Sequence, residues 1–111
     1  GNESSRNIAL TYLAMSYLLE GQPVEADAAI DRALAIRPDA HLALKWKGII
    51  AAHLGKERAA LAAIRQLREF EPAMSIDQHV WQIERNRNLA GRSSEAVAIL
   101  RRLWDETEGD P

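Results

Sequence analysis

Two stretches, GQPVEADAAIDRALAIRP at residues 21–38 and GKERAALAAIRQLREFEP at residues 55–72, lie 34 residues apart and share one arrangement of glycine, alanine and proline. In the first, Gly21 breaks one helix and Pro23 opens the next, since a proline in the first turn loses only an N–H that had no partner there. Apolar residues then recur at Val24, Ile30, Leu34 and Ile36, with Ala26, Ala29 and Ala33 on the same side and Pro38 after the last turn. This is a short amphipathic helix with a start and a stop. Its small residues let a neighbouring helix come close. The second stretch is a rougher copy. A chain with this recurrence is built from helix pairs. It carries no sustained period-two alternation and no Asn-Gly or Asp-Gly hairpin turn.

The other helices follow from the same punctuation. The first spans about residues 6–20 after a polar, frayed start, and is apolar around nearly its whole circumference, so it needs neighbours on more than one side. Asp39 is placed to cap a third helix at about residues 40–54, which Gly55 ends. The fourth covers about residues 57–70. Ser75 and Gln78 have the spacing of a capping box for a fifth helix at about residues 76–90. Ser93 or Ser94 opens a sixth, to about residue 105, before a polar, mobile tail. Six short helices with short links predict an all-α fold.

These residues resemble the tetratricopeptide repeat. The first unit offers Leu10, Leu13, Ala14, Tyr17, Gly21, Ala26, Ile30, Ala33 and Pro38 at the family's spacings. The second offers Leu44, Gly48, Gly55, Ala60, Ile64, Leu67 and Pro72, but has Lys47 and Ala51 where leucine and tyrosine are usual. The third offers Val80, Ile83, Gly91, Ala96, Leu100 and Leu103, departs at Glu84 and Arg87, and lacks the closing proline. The resemblance implies one domain, residues 1–111, with units at about 7–40, 41–74 and 75–108. Its architecture is a right-handed superhelical solenoid of antiparallel helix pairs, with a distorted third unit. Stability then comes from stacking neighbours. A plain six-helix bundle is the rival, and the repeated Gly–Ala–Pro spacing speaks against it.

Composition narrows the function. At 111 residues the chain has the length of one domain. Three Trp, two Tyr and one Phe leave the core to aliphatic and small side chains. The net charge of −2 offers no global field for nucleic acid or an anionic membrane. A local run of Arg85, Arg87, Arg92, Arg101 and Arg102 reads as the charged exterior of the last two helices. No cysteine is present, so disulfides, thiol catalysis and thiolate-held zinc are absent together. No apolar run approaches the ~20 residues of a membrane span. No signal peptide is legible, and Gly1 reads as a trimmed start. The cytoplasm is slightly favoured, with a trimmed secreted or periplasmic chain as the alternative.

No catalytic constellation emerges, and no cofactor or metal is predicted. His41, His53 and His79 form no metal-ligand spacing and read as surface or capping side chains. Gly55-Lys56 lies at a helix end with the wrong spacing for a phosphate loop. Asp27 and Asp31 sit one turn apart on a polar face, where solvation is the expectation. The predicted function is a non-catalytic protein–protein interaction scaffold.

In the family resembled, the first helix of each unit lines a concave groove. Carried over, that groove presents Thr11, Met15 and Leu19 with Ile8 and Leu18; then Lys45, Ile49 and His53 with Leu42 and Ala52; then Trp81, Arg85 and Asn88 with Gln78 and Leu89. It starts apolar and ends basic. The implied ligand is a peptide with an apolar stretch and acidic character, met by Lys45 and Arg85 and by Met15, Ile49 and Trp81. The lysine and asparagine with which some relatives clamp a chaperone's C-terminal carboxylate are replaced here by Thr11 and Met15, so that activity is not implied. The alternatives are a regulatory appendage of a larger protein and self-association: no seventh helix covers the sixth, which makes Trp104 a candidate for exposure in a homodimer. The apolar first helix is a second such surface.

Overall fold

The computed structural model describes residues 2–85 and 93–108. Six α-helices follow one another: α1 (Asn2–Leu19), α2 (Pro23–Ile36), α3 (His41–His53), α4 (Glu57–Phe70), α5 (Ile76–Arg85) and α6 (Ser94–Thr107). No strand occurs among the described residues. The Cα radius of gyration is 13.1 Å.

The 34-residue recurrence returns as backbone geometry. Gly21 has φ 78° and Gly55 φ 72°, the left-handed region that a glycine enters without a Cβ penalty. Around Gly21, its own N–H bonds Leu18 O at 3.0 Å and the Gln22 N–H reaches Tyr17 O at 2.8 Å. Around Gly55, its own N–H bonds Ala52 O at 3.1 Å and the Lys56 N–H reaches Ala51 O at 2.9 Å. Both are Schellman closures, which satisfy carbonyls that a helix end leaves bare. The far ends also repeat: Arg37 N–H bonds Ala33 O at 3.0 Å, and Glu71 N–H bonds Leu67 O at 2.8 Å.

Packing is most extensive within the hairpins α1–α2 and α3–α4. The second hairpin stacks on the first through α2–α3 and α1–α3. The alanines at the joints are fully covered: Ala14, Ala26 and Ala60 are each 0% exposed. Among the described residues α6 then packs on α4 and α3, while α5 packs mainly on α6. The described part of α5 reaches the core through His79, Val80 and Ile83. Gly48 sits in α3 opposite His79. A Cβ there would lie 3.5 Å from His79 Nε2 and 3.9 Å from Ala63 Cβ, ordinary contact distances, so this site accepts more than a glycine.

Several expectations need correction. The polar residues 2–5 belong to α1, and Ser4 Oγ accepts a hydrogen bond from Arg37 Nη1 at 3.1 Å. Asp39 does not cap α3. Ala40 occupies the N-cap, and Asp39 lies 3.7 Å from Arg37 instead. Ser93 holds the N-cap of α6 without a side-chain cap bond, because its hydroxyl lies 3.1 Å from His53 Nε2. The capping box of α5 forms as read: Gln78 N–H donates to Ser75 Oγ at 3.2 Å and Ser75 N–H to Gln78 Oε1 at 2.8 Å. Gly91 and the predicted continuation of α5 lie outside the described residues.

Candidate partner-binding surface

The link from α4 to α5 is short. It brings the start of α5 beside the middle of α3. Between them opens a cleft of about 520 Å³ lined by Lys45, Glu71, Pro72, Ala73, Met74 and Gln78. Gln78 also borders a smaller recess of about 390 Å³ with Asp77 and Trp81. The two recesses share that wall. The indole of Trp81 is 52% exposed, and the Arg85 guanidinium carbon stacks 4.3 Å from its centroid, a cation–π contact that covers one face of the ring.

Charge pairing sets this corner apart. Lys47 donates to Asp27 and to Asp31, each at 2.8 Å. Lys56 donates to the other oxygen of Asp27 at 2.8 Å. Arg101 binds Asp77 and Glu84 at 2.9 Å, and Arg102 reaches Glu57 at 2.6 Å. Lys45 and Arg85 have no ion pair or hydrogen bond among the described residues. Burial pushes the Lys45 ammonium below the usual lysine range, and the charge of Glu71 only partly offsets it. A half-buried, unpaired ammonium gains by meeting an anion.

The structure does not gather every predicted groove residue at an open surface. Thr11 is 1% exposed; its hydroxyl donates to Asn7 O at 2.9 Å, while Asn7 Nδ2 donates to Ala33 O at 2.7 Å. Ile49 is fully buried in the core. Both are closed to a partner because α1 and α3 turn these positions into the inter-hairpin packing. Met15 and Leu19 are half-buried against the core. His53 lines a separate recess of about 280 Å³ with Glu95, Ala96 and Ile99. Asn88 lies outside the described residues. Met74 borders the cleft and Asp77 the second recess without having been read as site residues; their signal was the capping box beside them, which fixes the entry of α5.

Three other side chains differ from expectation. Asp27 is buried rather than solvated, because α3 and the turn after it deliver Lys47 and Lys56 to its two oxygens. Burial works to raise its pKa, and the two ammoniums overcome that and hold the carboxyl below its usual range. Lys47 is likewise penalised by burial, yet its bonds to Asp27 and Asp31 leave it above the usual lysine range. Trp104 is not exposed: it is 2% accessible, with the Arg68 guanidinium 4.8 Å from its ring on one side and His79 5.4 Å away centroid to centroid. Self-association through Trp104 therefore has no surface to use. His79 is neither a surface nor a capping residue; it is 0% exposed, and neither ring nitrogen has a hydrogen-bond partner among the described residues. Of the other histidines, His41 stacks on Phe70 at 4.9 Å with Nδ1 3.3 Å from Glu71 Oε1.

Among the described residues no group of three or more His, Asp or Glu converges as a metal site. No helix there is long and apolar enough to cross a membrane. No family model, curated protein or solved structure matches the chain.

Proposed function

We propose that this chain is a non-catalytic protein–protein interaction scaffold, a tetratricopeptide-type solenoid with a divergent third unit. Its ligand is an acidic peptide that also carries apolar side chains. The residue spacing of the first two units supports the architecture, as do the matched Schellman closures at Gly21 and Gly55 and the stacking of α3 on α1 and α2. The third unit departs from a regular stack, since α6 covers the second hairpin more than the described part of α5 does.

One observation carries the ligand chemistry. Lys45 and Arg85 form no ion pair among the described residues, and they flank the recesses that end at the exposed Trp81. An aromatic anchor beside a half-buried cation is the composition in which a few side chains supply most of a binding energy. Lys45 meets a carboxylate, the free face of Trp81 takes an apolar side chain, and Gln78 offers hydrogen bonds once the peptide displaces water. The test is selection from a displayed random-peptide library, followed by titration of the enriched peptides. Enriched sequences carry Asp or Glu beside an apolar residue, and Trp81→Ala and Lys45→Glu each weaken binding by at least about tenfold. Affinities that ignore both substitutions refute the reading.

A further inference from the structure

The outer face of α1 carries a pattern that neither the core nor the cleft uses. Asn7, Thr11, Ala14 and Leu18 form its buried side. On the opposite side Arg6, Ala9, Leu13, Ser16 and Glu20 are all exposed and spaced by threes and fours, so they form one stripe. Tyr12 and Leu13 stand at its middle, 55% and 41% exposed, with Ile8 at 51% one turn before Tyr12.

The ends of the stripe are opposite in charge. Arg6 lies seven residues before Leu13 and Glu20 seven after it, each about 10 Å along the axis. Glu20 directly follows the last residue of α1, and its N–H still bonds Ser16 O at 3.1 Å, so it stays on the helical path. Neither side chain has an ion pair or hydrogen bond among the described residues. Ser16 turns its hydroxyl back to Tyr12 O at 3.0 Å, so its proton is already satisfied within the helix.

Such a stripe complements itself under one operation. A two-fold axis at residue 13, with the helices antiparallel, sets Leu13 of one copy against Leu13 of the other, with Tyr12 beside it and Ala9 within one residue of Ser16. The same operation brings Arg6 beside Glu20 at both ends. We propose that a second copy of this chain docks here, forming an antiparallel homodimer through α1. A foreign partner would require no equality between the two half-lengths; the match of Arg6 and Glu20 about one centre is what selects the second copy. Leu13 and Tyr12 fill the crossing and Ala9 and Ser16 flank it, which suits the ordinary range of helix packing, about 8–10 Å between axes. The surface leaves Lys45, Trp81 and Arg85 untouched, so it stands or falls separately from the peptide cleft.

The test is sedimentation equilibrium of the full chain from micromolar to millimolar concentration at low salt, where exposed charges are least screened. The wild type shows a monomer–dimer equilibrium. Arg6→Glu or Glu20→Arg alone sets like charges together and weakens the dimer by about tenfold or more. The double variant Arg6→Glu/Glu20→Arg restores it. Each reversal suits the helix dipole, an acid near the start and a base near the end, so thermal melts show the monomer intact. A wild type that stays monomeric at the highest concentration overturns the proposal. So does a dimer insensitive to the single reversals, or one that the double reversal fails to rescue.

Discussion

His79 makes the stability of this fold depend on pH in a defined window. Gly48 and Lys45 on α3, Ala63 on α4 and Trp104 on α6 surround it, with the Arg68 guanidinium on the Trp104 ring. Burial, and then the positive charge of Lys45, lower its pKa from 6.5 to about 4. The folded chain therefore holds His79 neutral where the unfolded chain already takes up a proton. Above pH 6.5 neither state is protonated and the full stability is present. As pH falls from 6.5 toward 4, the unfolded state binds one more proton than the native state, and stability declines by about 1.4 kcal/mol per pH unit. Across the window the loss is about 3 kcal/mol, a large part of what a domain this size possesses. Asp27, whose carboxyl is held below its usual range, adds a further loss only at lower pH. Urea denaturation at closely spaced pH values measures the slope. The comparison is His79→Leu, which removes two unpartnered nitrogens while filling the site. It holds its stability across the window and equals or exceeds the wild type above it. A variant whose stability falls as steeply as the wild type would refute the assignment of the slope to His79.

Two further outcomes follow from the core. Lys47→Ala strands Asp27 with Lys56 alone and costs about 3 kcal/mol in urea denaturation, whereas Lys56→Ala, at the exposed end of the network, costs under about 1 kcal/mol. Gly48→Ala raises the melting temperature by an amount equivalent to about 1 kcal/mol, because the helix gains propensity and the new methyl meets the His79 ring at an ordinary distance.

The scaffold was legible where local chemistry decides it. Gly21 and Gly55 had to close helices, Ala26 and Ala60 had to sit at joints, and Ser75 with Gln78 had to open α5. Each is a short-range requirement that a residue type announces. The errors share the opposite cause. Asp27 is charged, and a helix drawn alone leaves it in water; its burial depends on Lys47, which arrives from the next hairpin. Trp104 looked uncovered because the helix pattern offers no seventh helix to pack on α6, yet Arg68 from α4 and His79 from α5 lie against its ring. Thr11 and Ile49 belonged to the predicted groove by helical position, and the inter-hairpin packing took them into the core. Trp81 and Arg85 stand exposed where the groove reading placed them, whereas Lys45 is half-buried with the charge of Glu71 acting on it across the cleft.

The twin closures at Gly21 and Gly55 also bear on how such a chain changes length over generations. The backbone arrives at each glycine by the same hydrogen bonds and leaves toward helices that carry Ala26 and Ile30 in one case, Ala60 and Ile64 in the other. A recombination that joins codon 21 to codon 56 removes 34 residues, Asp27 and Lys47 among them, and creates no junction the backbone does not already make. The reciprocal product gains the same 34. Either product keeps a glycine turn of the kind that already closes α1 and α3.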